Sequence, residues 1–159
     1  MENFILMLHC RIIISGLHTY LTQLYSVVKD YLAAYHLNLE WLPIMKKKYE
    51  TDSESLQSDY ASTLGTQSFY SIFAKQYAEA EQLACEGLSI DSTQHFIYSN
   101  LAAALLFQGK YEETEKIYRQ YKDELKDAFL DDFKQFAEAG VIPKEREADV
   151  ERIKRMLEE

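Results

Sequence analysis

The 159-residue chain is 47% apolar and 27% charged. That is the make-up of a globular domain long enough to bury a core without disulfides or metal, and it excludes a disordered chain. Its five glycines and two prolines are about 4% of the residues against an average near 12%, too few for the tight turns of an all-β domain. The net charge of −9 and a pI near 5.0 have the wrong sign for neutralising nucleic-acid phosphates or anionic lipid, so neither nucleic acid nor membrane is expected as a partner. Two cysteines, Cys10 and Cys85, make neither a disulfide framework nor a zinc site and suit a reducing compartment.

The chain opens on Phe4-Ile5-Leu6-Met7-Leu8 and Ile12-Ile13-Ile14. Glu2 stands where a signal peptide is basic, His9, Cys10 and Arg11 break the apolar run, and a small-residue cleavage site is missing. The run is about half the ~20 residues of a membrane helix. A buried amphipathic helix in a cytoplasmic protein is expected instead. Leu17, Tyr20, Leu21, Leu24, Val27, Val28, Tyr31, Leu32 and Tyr35 recur at three- and four-residue steps, which predicts one long helix with a buried apolar face. Pro43 predicts a boundary near Leu42, followed by a short basic helix over 45–49 that carries Lys46-Lys47-Lys48. The polar, cap-rich stretch 51–55 reads as a linker.

Four helices are then expected in a regular beat, over 55–74, 77–88, 93–107 and 111–123, punctuated by the cap residues Asp91, Ser92 and Thr93 and by Gly109. A fifth over 127–139 places Phe129, Phe133 and Phe136 on one face. Gly140 and Pro143 end it, and a last helix over 147–157 carries Val150, Ile153 and Leu157. Cys85 falls at a second-helix position expected to pack inward, where a thiol is inert.

Comparison of the chain with itself is the most informative. Tyr77 and Tyr111 are 34 positions apart, and the same offset pairs Phe73 with Phe107, Glu79 with Glu113 and Glu81 with Glu115. A two-helix period of 34 is the tetratricopeptide signature. The stretch Tyr98-Ser99-Asn100-Leu101-Ala102-Ala103-Ala104-Leu105, followed by Gly109-Lys110-Tyr111-Glu112-Glu113, resembles such a repeat, with Tyr118 at its second-helix aromatic. Thr114 and Tyr121 stand where that family has Ala, and the unit before it keeps only Tyr77, Ala80 and the Glu pattern.

The resemblance implies an all-α, TPR-like right-handed αα-superhelix in three parts: N-terminal helices over 1–52, two helix pairs over 53–125 and a capping pair over 126–159. It also implies a non-catalytic scaffold that binds a protein or peptide on its concave face. In this register that face holds Phe96, Ser99, Asn100, Ala103, Leu106 and Phe107 in the better unit. In the earlier unit it holds Ser62, Gly65, Thr66, Phe69, Ile72 and Phe73. Asn100 is the amide expected to pair with a ligand backbone, although the basic residues of a carboxylate clamp are missing from this face. The alternative that Phe69, Phe73 and Phe107 fill the core stays open.

His9, His18, His36 and His95 are scattered and form no metal set. No phosphate loop or nucleophile elbow is present. No cofactor, metal or enzymatic activity is therefore expected. Two alternatives accompany the scaffold reading. One is a self-associating homodimer whose N-terminal helix fills a neighbour's groove, since two repeats are fewer than the three or so that stand alone. The other is a chaperone for an exported client.

Overall fold

The computed structural model describes the backbone of residues 2–159 and the side chains from Ile14 onward. Every regular element among the described residues is helical: α1 (Glu2–Val27), α2 (Tyr31–Thr51), α3 (Ser53–Phe73), α4 (Tyr77–Ile90), α5 (Phe96–Phe107), α6 (Tyr111–Glu138) and α7 (Glu147–Glu158), with a single 3-10 turn (Lys144–Arg146) before the last. Each helix packs on the next in sequence, and α3 also packs on α5.

The corners repeat closely. After α3, the N–H of Lys75 donates to Ile72 O at 2.9 Å and that of Gln76 to Ser71 O at 2.8 Å. Thirty-four residues later the N–H of Gly109 donates to Leu106 O at 2.9 Å and that of Lys110 to Leu105 O at 3.0 Å. Lys75 and Gly109 are both left-handed, with φ of 59° and 82°. This is the paired closure that satisfies the last carbonyls of a helix. Lys29, also at φ 59°, closes α1 in the same way onto Ser26 and Tyr25, and Gly140 and Val141 close α6 onto Ala137 and Phe136.

The crossings behind the corners correspond as well. Ser68 Oγ on α3 donates to Ala80 O on α4 at 2.7 Å. At the positions 34 further on, Thr114 Oγ1 on α6 donates to Ala102 O on α5 at 3.2 Å. The same pair of small residues lets two backbones approach, with the hydroxyl moved to the opposite helix. All four are buried.

Helix α6 does not run straight. At a rise of 1.5 Å per residue, Phe129 and Phe133 would lie about 16 and 22 Å beyond Tyr118. The Tyr118 ring is nonetheless 4.6 Å from that of Phe129 and 5.6 Å from that of Phe133. On the outward leg Tyr121 stacks on Tyr98 at 4.2 Å, and Glu124 reaches His95. On the return leg Phe136 meets Phe107 at 5.6 Å and Phe73 at 5.1 Å. The helix therefore doubles back between residues 124 and 129. The break predicted at 123–127 is thus a change of direction within continuous helical backbone, with no separate fifth helix, and the predicted boundary at 126 lies inside that bend. Helix α7 covers the result through Val150, Ile153, Met156 and Leu157, and Lys122 Nζ donates to Met156 O at 2.9 Å.

Four further expectations are corrected. The predicted long helix over 17–35 is two, because Lys29 turns the chain and the Asp30 carboxylate accepts from Ala33 N–H at 3.1 Å, capping α2. Pro43 ends nothing: α2 runs through it. Pro43 and Leu39 are both exposed, so the Leu39 carbonyl that loses its donor lies on the solvent side. Helix α5 starts at Phe96 rather than Thr93, since the Asp91 carboxylate accepts from Thr93 N–H at 3.0 Å and holds 91–93 in a turn. Cys85 is exposed rather than inward, because α4 turns Ala80, Leu83, Ala84 and Gly87 to the core. Burial of phenyl rings and Leu, Ile and Val side chains in one large cluster, from Ala34 to Leu157, supplies most of the stabilisation. The expected burial of the 4–13 segment and the surroundings of Cys10 lie outside the described side chains.

Candidate functional site

The face expected to receive a partner is mostly occupied by the chain itself. Ile72, Phe73, Ser99, Asn100, Ala103, Leu106 and Phe107 are all buried. The return leg of α6 supplies the cover. Phe136 lies among Phe69, Phe73 and Phe107, and the Ser99 hydroxyl donates to the Asp132 carboxylate. Tyr31, at the start of α2, stacks on Phe73 at 3.8 Å. Asn100 is committed too: its amide donates to Gly65 O at 2.8 Å and ties α5 to α3. Gly65 is the close-approach point, since a Cβ built there would lie 2.6 Å from Ile97 Cγ1. Thr66 and Phe69 are half-buried, and Phe96 is 41% exposed. These three of the ten expected contacts remain within reach of a ligand.

The open concavity lies one helix earlier. A cavity of about 450 Å³ is bounded by α1 (Ser15, His18, Thr19, Thr22, Gln23), α2 (Asn38, Trp41, Met45) and α3 (Asp59, Ser62, Thr63, Thr66). Steps of three and four residues bring each set to one side of its helix. The wall is dominated by hydroxyls and amides, with one carboxylate, one imidazole and neither lysine nor arginine. Asn38 is fixed by donating to Ala34 O at 2.8 Å and to Thr22 Oγ1 at 3.3 Å. The His18 ring stacks on Trp41 with centroids 4.6 Å apart and planes 16° apart. Burial lowers the His18 pKa below 6.5, so the ring is neutral at pH 7. Its Nε2 is shielded and has no hydrogen-bond partner among the described residues.

Trp41 also lines a larger, more apolar cavity of about 740 Å³. Ile14, Pro43, Ile44 and Leu56 line it with Trp41, together with Lys47, Lys48, Thr51 and Asp52. Lys48 Nζ stands 4.9 Å from the Trp41 ring centre, a cation over an aromatic face. Trp41 is the only tryptophan of the chain, and it forms a wall common to both cavities.

No family model matches the chain, and no characterised protein or solved structure is significantly similar to it.

Of the residues gathered here, sequence reasoning named Ser62 and Thr66 for the concave face, read Lys47 and Lys48 only as part of a short basic helix, and missed His18, Trp41 and Asn38. The repeat register covered only 53–125, so nothing in it indicated that α1 and α2 would line a groove. The available signal was the hydroxyl spacing Ser15, Thr19, Thr22 along one side of α1. No group of three or more His, Cys, Asp or Glu side chains is placed to hold a metal among the described residues, and no helix there is long and apolar enough to cross a membrane.

Proposed function

We propose that this chain is a protein-protein interaction module of the tetratricopeptide type, an adaptor without turnover that holds a segment of a partner protein in the groove between α1, α2 and α3. The observation that carries it is the open, hydroxyl-lined groove divided by Trp41 and set against a stack of like helix corners. Main-chain amides of an extended segment find donors and acceptors in Ser15, Thr19, Gln23, Ser62, Thr63 and Thr66. An apolar side chain fits among Trp41, Pro43, Ile44 and Leu56, and an acidic group beside it meets Lys47 and Lys48, whose two charges outweigh the one carboxylate of that lining, Asp52. The partner is thus a peptide with an apolar anchor next to a carboxylate. The 34-residue recurrence of corner and crossing bonds supports the repeat assignment, with the return leg of α6 and α7 as its third pair. The free, exposed Cys85 accords with a cytoplasmic setting.

Selection from a random peptide library on the full chain tests this. Peptides enriched by the wild-type protein are expected to pair an apolar residue with an acidic one, to change the emission of Trp41, and to lose binding by tenfold or more (about 1.4 kcal/mol) on T66R. Thr66 is half-buried at the groove wall, so the added side chain blocks the groove without entering the core. Enrichment of no peptide, or of peptides indifferent to T66R, would overturn the proposal.

A further inference from the structure

Helix α1 leaves most of its apolar residues outside. Ser15, His18, Thr22 and Ser26 share the side turned to the rest of the molecule with Leu21 and Tyr25: Thr22 is buried and the others are half-buried, Tyr25 packs on the core, and the hydrogen bond from Asn38 and the ring stack on Trp41 hold that side in place. The opposite side carries Leu17, Tyr20, Leu24 and Val27, with Val28 just beyond the helix, and these are between 41% and 79% exposed. The sequence predicts this stripe as the buried face. A helix that leaves a contiguous apolar stripe of this size in water keeps it for another surface.

We infer that the outward face of α1 pairs antiparallel with the same face of a second copy of this chain. Three observations select that occupant. First, the spacing 17, 20, 24, 27 alternates steps of three and four, the a/d seam by which two helices interlock. Second, the seam maps onto itself when reversed: Leu17 faces Val27 of the other copy and Tyr20 faces its Leu24, the self-complementarity that an isologous contact requires. Third, residues 12–28 contain no Asp, Glu, Lys or Arg in a chain of net charge −9, so two copies meet there without bringing their like charges together. The pairing uses a surface other than the peptide groove and stands whether or not that groove binds.

Light scattering coupled to size exclusion, run on the full chain across the micromolar range, reads the outcome. The wild type is expected at twice 18.6 kDa at the upper end. L17K and V27E, each at an exposed position, are expected at the monomer mass with unchanged far-ultraviolet circular dichroism. Combined in one chain as L17K/V27E they set opposite charges face to face in the antiparallel register, and the dimer returns. A wild type that stays at 18.6 kDa throughout would overturn the inference, and its sedimentation with phosphatidylcholine vesicles would assign the face to lipid. Single variants that remain dimeric, or a double variant that stays monomeric, would equally overturn the antiparallel pairing.

Discussion

Asp132 shows how the return leg of α6 is held. Burial raises its pKa to about 6; the hydroxyl donated by Ser99 works against that rise and the neighbouring Asp131 charge adds to it. Against an unfolded value near 3.9, the native state binds more protons than the unfolded chain between about pH 4 and 6, so this residue lowers stability as pH climbs through that window. The two-unit displacement corresponds to about 2 to 3 kcal/mol. D132N keeps an acceptor for Ser99 and removes the charge. Urea unfolding is expected to show the variant about 2 kcal/mol more stable than the wild type at pH 7 and nearly equal to it at pH 4. A difference that is the same at both pH values would contradict the burial of a titrating carboxyl there. His18 acts with the opposite sign: its lowered pKa makes stability fall as pH drops through 6.5. The D132N comparison isolates Asp132 because His18 is common to both proteins.

At the scale of the element, the two corners 34 residues apart make opposite demands on substitution. Lys75 holds φ 59° with a side chain, and Gly109 holds φ 82° without one. K75G is expected to leave stability unchanged or raise it by about 0.5 kcal/mol, since relief of the left-handed strain is partly offset by a looser unfolded chain. G109A is expected to cost about 1 to 2 kcal/mol, because φ 82° strains any residue with a Cβ, whereas the Arg146 guanidinium that this Cβ would meet at 2.9 Å ends a flexible side chain and can move aside. Denaturant midpoints check both, and equal effects at the two positions would count against their equivalence. These corners also mark what was readable in the chain. Gly109, Gly140 and Pro143 announce their turns, and the shared Tyr and Glu spacing announces the period. The corner at Lys29 left no such mark, because lysine is not a left-handed residue by preference, and the sequence reading passed over Asp30, the cap of α2. Pro43 misled for the converse reason: its lost hydrogen bond falls on the water side of α2, where the helix tolerates it. The reversal of α6 falls on 124–129, which contains neither Gly nor Pro, so it was legible only as a change in the apolar pattern.

For the whole molecule, the hydrophobic periodicity told which side of each helix was apolar but not what would cover it. For α3, α5 and the return leg of α6 the cover is internal, so Ile72, Phe73, Leu106 and Phe107 became core rather than a binding surface. For α1 the cover is absent from the chain's own fold, and the stripe taken from the sequence as buried is the most exposed apolar surface described. The proposed interaction module rests on that imbalance: a well-packed body from α3 to α7, a polar groove beside it, and an apolar face turned outward at the N-terminal end. Amide hydrogen exchange of the full chain at low and high concentration tests this division most directly. Residues 17–27 are expected to gain protection as concentration rises, while α3, α5 and α7 exchange at unchanged rates. Protection of 17–27 that is high and independent of concentration would mean that the apolar face of α1 is buried within a single chain, and would contradict the account.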